Sequence, residues 1–98
     1  MPRYVIERRY TVEEAQVPTV ATRSKRLARD EFPRIVWEHS HVVLDDDGTP
    51  MSFCVYDAPS EEMVREHADA LGDHTIESVY EIVGDVTPDD FPLDGDAA

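Results

Sequence analysis

The stretch IVWEHSHVVLDDDGTPMSFCVYDA, residues 35–58, decides the fold of this chain. Two runs rich in β-branched and aromatic residues flank Asp47-Gly48, a dipeptide typical of tight turns. The pattern predicts a β-hairpin whose strands cover residues 34–44 and 51–58.

A strand and a helix precede the hairpin. RYVIERRY, residues 3–10, alternates and is rich in β-forming residues, which predicts a strand. Thr11 and Glu14 match a capping box, so we expect a helix from there to about Asp30. Pro18 falls near its first turns, where it favours a loop or a kink.

A second helix and a last strand follow the hairpin. Ser60 is the expected N-cap, Glu61 and Glu62 suit the positive end of the helix dipole, and the helix should end near Gly72. SVYEIVGDV, residues 78–86, is the predicted final strand. The order β-α-β-β-α-β predicts an α+β, ferredoxin-like fold, a four-stranded antiparallel sheet with two helices on one face.

Length and composition limit the classes of protein. The 98 residues suit a single ferredoxin-like domain over residues 1–88, followed by an acidic, flexible tail over residues 89–98. Eight basic and five acidic residues in 1–34 contrast with one basic and seventeen acidic residues in 35–98, and the net charge is −13. Such a charge disfavours nucleic-acid binding and attracts cations.

Other sequence signals point to a cytoplasmic protein without a membrane partner. No run approaches the roughly 20 apolar residues of a membrane helix, and MPRYVIERRY lacks the apolar segment of a signal peptide. The one cysteine, Cys54, cannot form an internal disulfide. No P-loop, dinucleotide glycine fingerprint, nucleophile elbow or HExxH motif assigns an enzymatic reaction.

Alternation divides the strand residues between two faces of the sheet. The bulkier and more apolar set, which we expect beneath the helices, is Tyr4, Ile6, Trp37, His39, His41, Phe53, Val55, Tyr80 and Ile82. The other set is Val5, Glu7, Val36, Glu38, Ser40, Cys54, Tyr56, Val79, Glu81 and Val83. Its mixture of valines and carboxylates suits an interface with a second sheet, which predicts a homodimer through the open face.

Three histidines are then predicted to converge. In the second helix, His67 lies on a buried stripe with Val64 and Leu71, so its ring should point at the sheet, towards His39 and His41. Neutral imidazoles are ligands for nickel, zinc and copper. The alternatives are an exposed or hydrogen-bonded histidine pair on the strand and a core histidine with its own hydrogen bond on the helix.

Several segments together resemble a family of small bacterial nickel-binding proteins of ferredoxin-like fold. They are VIER (5–8), WEHSH (37–41), CVYDAPSEE (54–62), REHA (65–68) and a closing strand with Glu81. The resemblance covers residues 3–88 and implies a homodimer with a bound divalent metal, Ni²⁺ above Zn²⁺ or Cu²⁺, and no established catalysis.

The resemblance also implies a set of metal ligands. His39 and His67 match the family pattern best, and Glu7, Cys54, Tyr56 and Glu66 match it as further ligands or supporting groups. His41 departs from the pattern, because an aromatic residue such as tyrosine is expected there. The histidine could add a ligand or shift the metal preference.

Three functions follow from these observations. The first is metal binding for storage, buffering or sensing. The second is a dimeric interaction module without metal, and the third is a small-molecule or haem-type oxidoreductase that uses the cavity between helices and sheet. We favour the first.

Overall fold

The computed structural model describes residues 1–95. The strands are β1 Arg3–Tyr10, β2 Val36–Leu44, β3 Pro50–Asp57 and β4 His74–Ile82, and the helices are α1 Val17–Glu31 and α2 Glu61–Leu71. Short 3₁₀ turns cover Glu14–Gln16 and Pro88–Asp90. The flexibility predicted for residues 89–98 stays a prediction, and residues 96–98 lie outside the described part of the chain.

The four strands form one antiparallel sheet in the order β2-β3-β1-β4. This order and the β-α-β-β-α-β sequence confirm the predicted ferredoxin-like fold. Val64 and Ala68 of α2 join a core with strand residues such as Ile6, whereas Val17 and Val20 of α1 form a second cluster. None of the helices within residues 1–95 has the length and apolar character needed to cross a bilayer.

The predicted element boundaries are closest for β1 and α2. The β1 strand occupies the predicted residues, 3–10. The Ser60 hydroxyl accepts a hydrogen bond from the Met63 backbone N–H at 3.2 Å and caps α2 as predicted. The backbone N–H of Gly72, which has a positive φ of 71°, bonds to the carbonyl of Ala68 and ends that helix.

Two elements, α1 and β4, differ most from their predicted bounds. The first helix does not begin with a cap at Thr11; a 3₁₀ turn comes first, and α1 starts at Val17 with Pro18 in its first turn, where a missing N–H costs nothing. The β4 strand covers 74–82 instead of 78–86. It ends at Ile82 because that residue pairs with Arg3, the first residue of β1, and later residues have no neighbouring strand.

Two irregularities in the sheet decide which side chains face the helices. The register of β2 against β3 shifts between Trp37 and His39, so that Glu38 is an extra residue in the strand. A second shift lies between Glu7 and Arg8, where β1 pairs with β4. Each inserted residue reverses the alternation beyond it.

We call the two sides of the sheet the inner face, beneath the helices, and the outer face. The inner face carries Tyr4, Ile6, Arg8, Tyr10, Trp37, Ser40, Val42, Cys54, Tyr56 and Val79. The outer face carries Val5, Glu7, Val36, His39, His41, Val43, Phe53, Val55 and Tyr80.

The predicted division of the faces is right for β1 and for Val36 and Trp37, and wrong for most of the other three strands. The misplaced residues are His39, Ser40, His41, Phe53, Cys54, Val55, Tyr56, Val79, Tyr80, Glu81 and Ile82. In β2 the reason is the inserted Glu38. In β3 the bulk of alternate residues misled the prediction, because Cys54 and Tyr56 pack inward and Phe53 stays partly exposed on the outer face.

Candidate functional site

His39 and His41 form a pair on the outer face. Their ring centroids lie 5.5 Å apart with the ring planes at 76°. Both side chains are exposed, and neither ring makes a hydrogen bond within residues 1–95. The inserted Glu38 creates this arrangement, because it turns both histidines away from the helices.

The nearest neighbours of the histidine pair on the outer face are apolar residues of β3, and an acidic residue follows on β1. His39 lies opposite Val55 and His41 lies opposite Phe53 on β3. Glu7 follows in the same row, on the next strand, and its carboxylate accepts a hydrogen bond from the Ser78 hydroxyl at 3.0 Å. Two strand spacings, about 10 Å at the backbone, therefore separate Glu7 from the histidines.

His67 projects from α2 on the other side of the sheet, and its ring packs between α1 and β3. Only 1% of its surface is exposed. Its Nε2 lies 3.2 Å from the Ser24 carbonyl oxygen, and since a carbonyl only accepts, Nε2 carries the proton and donates. Its ring also meets Phe32 edge-on at 5.5 Å and packs against Tyr56 at 6.0 Å. These contacts fix His67 as a bridge from α2 to α1.

The environment of His67 keeps its imidazole neutral. Burial lowers the pKa of His67, the hydrogen bond to Ser24 opposes that shift, and the nearby cation Arg8 adds to it. Because the Nε2 proton is committed to the carbonyl, only Nδ1 is left with a free lone pair. The geometry matches a core histidine that satisfies its own hydrogen bond.

Two further predicted ligands lie on the inner face, the side of the sheet against which His67 packs. Cys54 is buried, and its sulfur lies 3.2 Å from the Ser52 hydroxyl. Tyr56 is buried as well, and burial raises its pKa to about 12, so the phenol keeps its proton at neutral pH. A protonated phenol is a poor ligand for a divalent metal. Glu66 is exposed on α2.

The predicted pocket of three imidazoles is therefore wrong. The sheet lies between His67 and the pair formed by His39 and His41, because these strand histidines share the outer face with Val55 and Phe53. Within residues 1–95, no three His, Cys, Asp or Glu side chains gather where they could hold one metal ion. The histidine pair is the only part of the predicted three-histidine site that this stretch brings together, and its role as a ligand pair stays a prediction.

One polar group of the interior was missed by the sequence analysis. Arg8 lies on the inner face with 2% of its surface exposed. Continuing the alternation of Tyr4 and Ile6 by one more step predicts this orientation, although arginine is rarely buried without a partner. Its guanidinium carbon lies 5.5 Å from the centroid of the Tyr56 ring.

Comparisons with known proteins find a matching family and similar solved structures. Residues 4–82 match the family described as nickel responsive protein SCO4226-like. Among solved structures, the chain is similar to that reported as the crystal structure analysis of SCO4226 from Streptomyces coelicolor A3(2), with 16% identity and a TM-score of 0.64. The match covers 86% of this chain and 99% of that chain, and at this identity it supports the fold alone. No curated protein matches.

Proposed function

The chain belongs to the SCO4226-like family of nickel responsive proteins, and from this premise we propose that it binds Ni²⁺ through His39 and His41. The observation that carries the proposal is the exposed pair of imidazoles, 5.5 Å apart, with no competing hydrogen bond in residues 1–95. The role is storage, buffering or sensing rather than catalysis, in the cytoplasm.

The donors of the pair suit nickel chemically. Imidazole nitrogen is a preferred ligand of Ni²⁺, Cu²⁺ and Zn²⁺, and Ni²⁺ accepts mixed nitrogen and oxygen donors. Both rings project from the same face of one strand, so the backbone already holds them near each other. The net charge of −13 also raises the local concentration of cations.

Two imidazoles do not complete the coordination of a nickel ion, and a second copy of the chain supplies what is missing. The outer face exposes apolar side chains that a partner would cover: Val36, Val43, Phe53 and Tyr80. In a two-fold dimer the same patch meets itself, so the histidine pair of each protomer lies at or beside the partner's outer face. Glu7, on that face, is then a carboxylate donor within the interface.

Calorimetric titration with Ni²⁺ tests the ligand assignment. We expect His39→Ala and His41→Ala each to weaken binding by at least about tenfold, since each removes one imidazole. His74→Asn is the matched control, because His74 is bonded to the Gly72 carbonyl and belongs to a different part of the fold. Unchanged affinity in both strand variants would overturn the assignment.

The molar mass in solution tests the interface. We expect a dimer whose dissociation constant falls when Ni²⁺ is added, because the ion offsets repulsion between two acidic protomers. Tyr80→Glu places a carboxylate on the outer face, where Tyr80 is 66% exposed, and should give monomers. Lys25→Glu on the exposed part of α1 is the control and should remain dimeric. A monomer under all conditions contradicts the proposed interface.

The haem alternative is disfavoured by size. The cavity between helix and sheet measures about 240 Å³, below the range of roughly 300–1,000 Å³ typical of pockets for drug-sized ligands. A porphyrin is larger than such a ligand. The metal-free interaction module remains the main competitor, and the nickel titration separates it from the proposal.

A further inference from the structure

A buried cation without a counterion lies beside the inner cavity. The Nε and Nη2 atoms of Arg8 are buried and have no hydrogen-bond partner in residues 1–95. No carboxylate in that stretch forms an ion pair with it, whereas its neighbour Arg9 pairs with Asp45 at 2.6 Å and with Glu77 at 3.2 Å. A guanidinium is always charged in a protein, so Arg8 is a permanent cation in the interior.

The groups around Arg8 do not neutralise it. The Tyr10 hydroxyl is bonded to Ser52 at 2.9 Å, and burial raises the pKa of Tyr10. Tyr56 presents its ring to the guanidinium, and its phenol also stays protonated at neutral pH. The ring offers a cation–π contact to one side of the guanidinium and leaves the N–H groups without an acceptor.

Arg8 lines a cavity of about 240 Å³ between α1 and the sheet. Most of the wall is apolar, and its helical part includes Val17 and Val20 of α1 and Leu71 of α2. Trp37 and Val42 of β2 also line it and remain 38% and 54% exposed, because the helices leave the inner side of this edge strand uncovered. The cavity thus combines a buried cation with an apolar wall that continues to the surface.

We propose that this cavity binds a small organic carboxylate, whose anionic head pairs with Arg8 and whose apolar body lies against Trp37 and Val42. The planar fork of N–H groups on arginine matches a carboxylate in two parallel hydrogen bonds. A single cation suits a monoanion, and the apolar wall disfavours inorganic phosphate. This site lies on the opposite side of the sheet from the histidine pair, so it is independent of the proposed nickel site.

The cavity volume sets the size of the ligand. A protein cavity of about 150 Å³ holds benzene, so about 240 Å³ holds a molecule of about ten non-hydrogen atoms. Octanoate and phenylacetate have about that size. Both are available as probes, and 1-octanol is a neutral analogue of the first.

Trp37, the only tryptophan of the chain, provides the readout. Its fluorescence and calorimetry are followed while octanoate, phenylacetate, 1-octanol or inorganic phosphate is added. We expect at least one of the two carboxylates to bind below about 1 mM, 1-octanol at least tenfold more weakly than octanoate, and phosphate not at all. Equal binding of octanoate and 1-octanol, or binding of neither carboxylate, overturns the proposal.

Variants of the two neighbouring arginines assign the site. Arg8→Met should weaken carboxylate binding at least tenfold. Arg8→Lys keeps the positive charge and loses the planar fork of N–H groups, so its affinity should lie between those of Arg8→Met and the parent protein. Arg9→Gln is the matched control on the outer face and should bind normally. Full affinity in Arg8→Met would contradict the proposal. The affinity of Arg8→Met for Ni²⁺ should equal that of the parent protein. The experiments therefore distinguish failure of the carboxylate site from failure of the nickel site.

Discussion

The two faces of the sheet use histidine in opposite ways. On the outer face, His39 and His41 are exposed and make no hydrogen bond within residues 1–95. On the side of the inner face, His67 of α2 is 1% exposed, bonds to the Ser24 carbonyl and packs against two aromatic rings. The nitrogen lone pairs of the exposed histidines are available to a ligand. The buried His67 ring instead uses its Nε2–H group in a hydrogen bond that joins α2 to α1.

This difference follows from burial rather than from residue type. A polar group inside the protein must find a partner in the protein, because an unsatisfied one loses its bonds to water without replacement. His67 has found such a partner, and Arg8 has not. A polar group on the outer face stays hydrogen-bonded to water and can exchange that water for a metal ion. A reversible metal site requires this exchange.

The largest effect is expected from truncating the inner histidine. His67→Ala leaves a cavity and removes the bond to Ser24, so the free energy of unfolding should fall by about 2–4 kcal/mol. Urea denaturation measures it. His41→Ala, on the exposed outer face, should change stability by no more than about 0.5 kcal/mol.

Nickel affinity should show the reverse order. The folded His67→Ala protein should bind Ni²⁺ as the parent does, while His41→Ala should bind it more weakly. Loss of nickel binding in a His67→Ala protein that keeps its stability would contradict these opposite roles, because the buried histidine would then be a metal ligand.

A smaller effect of opposite sign is expected at Arg8. An unpaired charge in the interior costs free energy, and replacing a buried ion by an apolar side chain of similar length is often stabilising. Arg8→Met should therefore raise the free energy of unfolding by about 1–3 kcal/mol in the absence of ligand. Urea denaturation with and without octanoate checks this, and octanoate should stabilise the parent protein more than the variant. Marked destabilisation of the variant without ligand would show that Arg8 has a structural role.

The smallest effect concerns pH. Burial lowers the pKa of His67 below its value of about 6.5 in the unfolded chain, so the unfolded state binds a proton first as the pH falls. Stability is therefore full above about pH 6.5 and decreases as the pH falls towards the lower folded-state pKa. Burial lowers the pKa of His74 too, and Arg8 acts on both rings. Between pH 7.5 and 5.5, the free energy of unfolding should fall less in His67→Gln than in the parent protein, and the part of the decrease that remains is due to His74. An unchanged dependence of stability on pH would contradict the role of His67.

Much of the fold could be predicted from local patterns. Alternation identified β1, the turn dipeptide identified the hairpin, and Ser60 identified the start of α2. The shift of β4 could not be predicted from its own residues, because its end depends on where β1 begins. Pairing between distant strands sets such boundaries.

The site was predicted less well, for one physical reason. Alternation counts residues in steps of two, and a single inserted residue exchanges the faces beyond it. The inserted Glu38 moved His39 and His41 away from His67 and gave the exposed pair instead. Arg8 was detectable by the same counting in β1, although arginine is rarely buried without a partner.

The most direct test of the account is an anomalous difference map from crystals grown with Ni²⁺ and recorded at the nickel absorption edge. We expect a peak on the outer face, within bonding distance of ring nitrogens of His39 and His41. A peak beside Nδ1 of His67, with none at the strand pair, would contradict it.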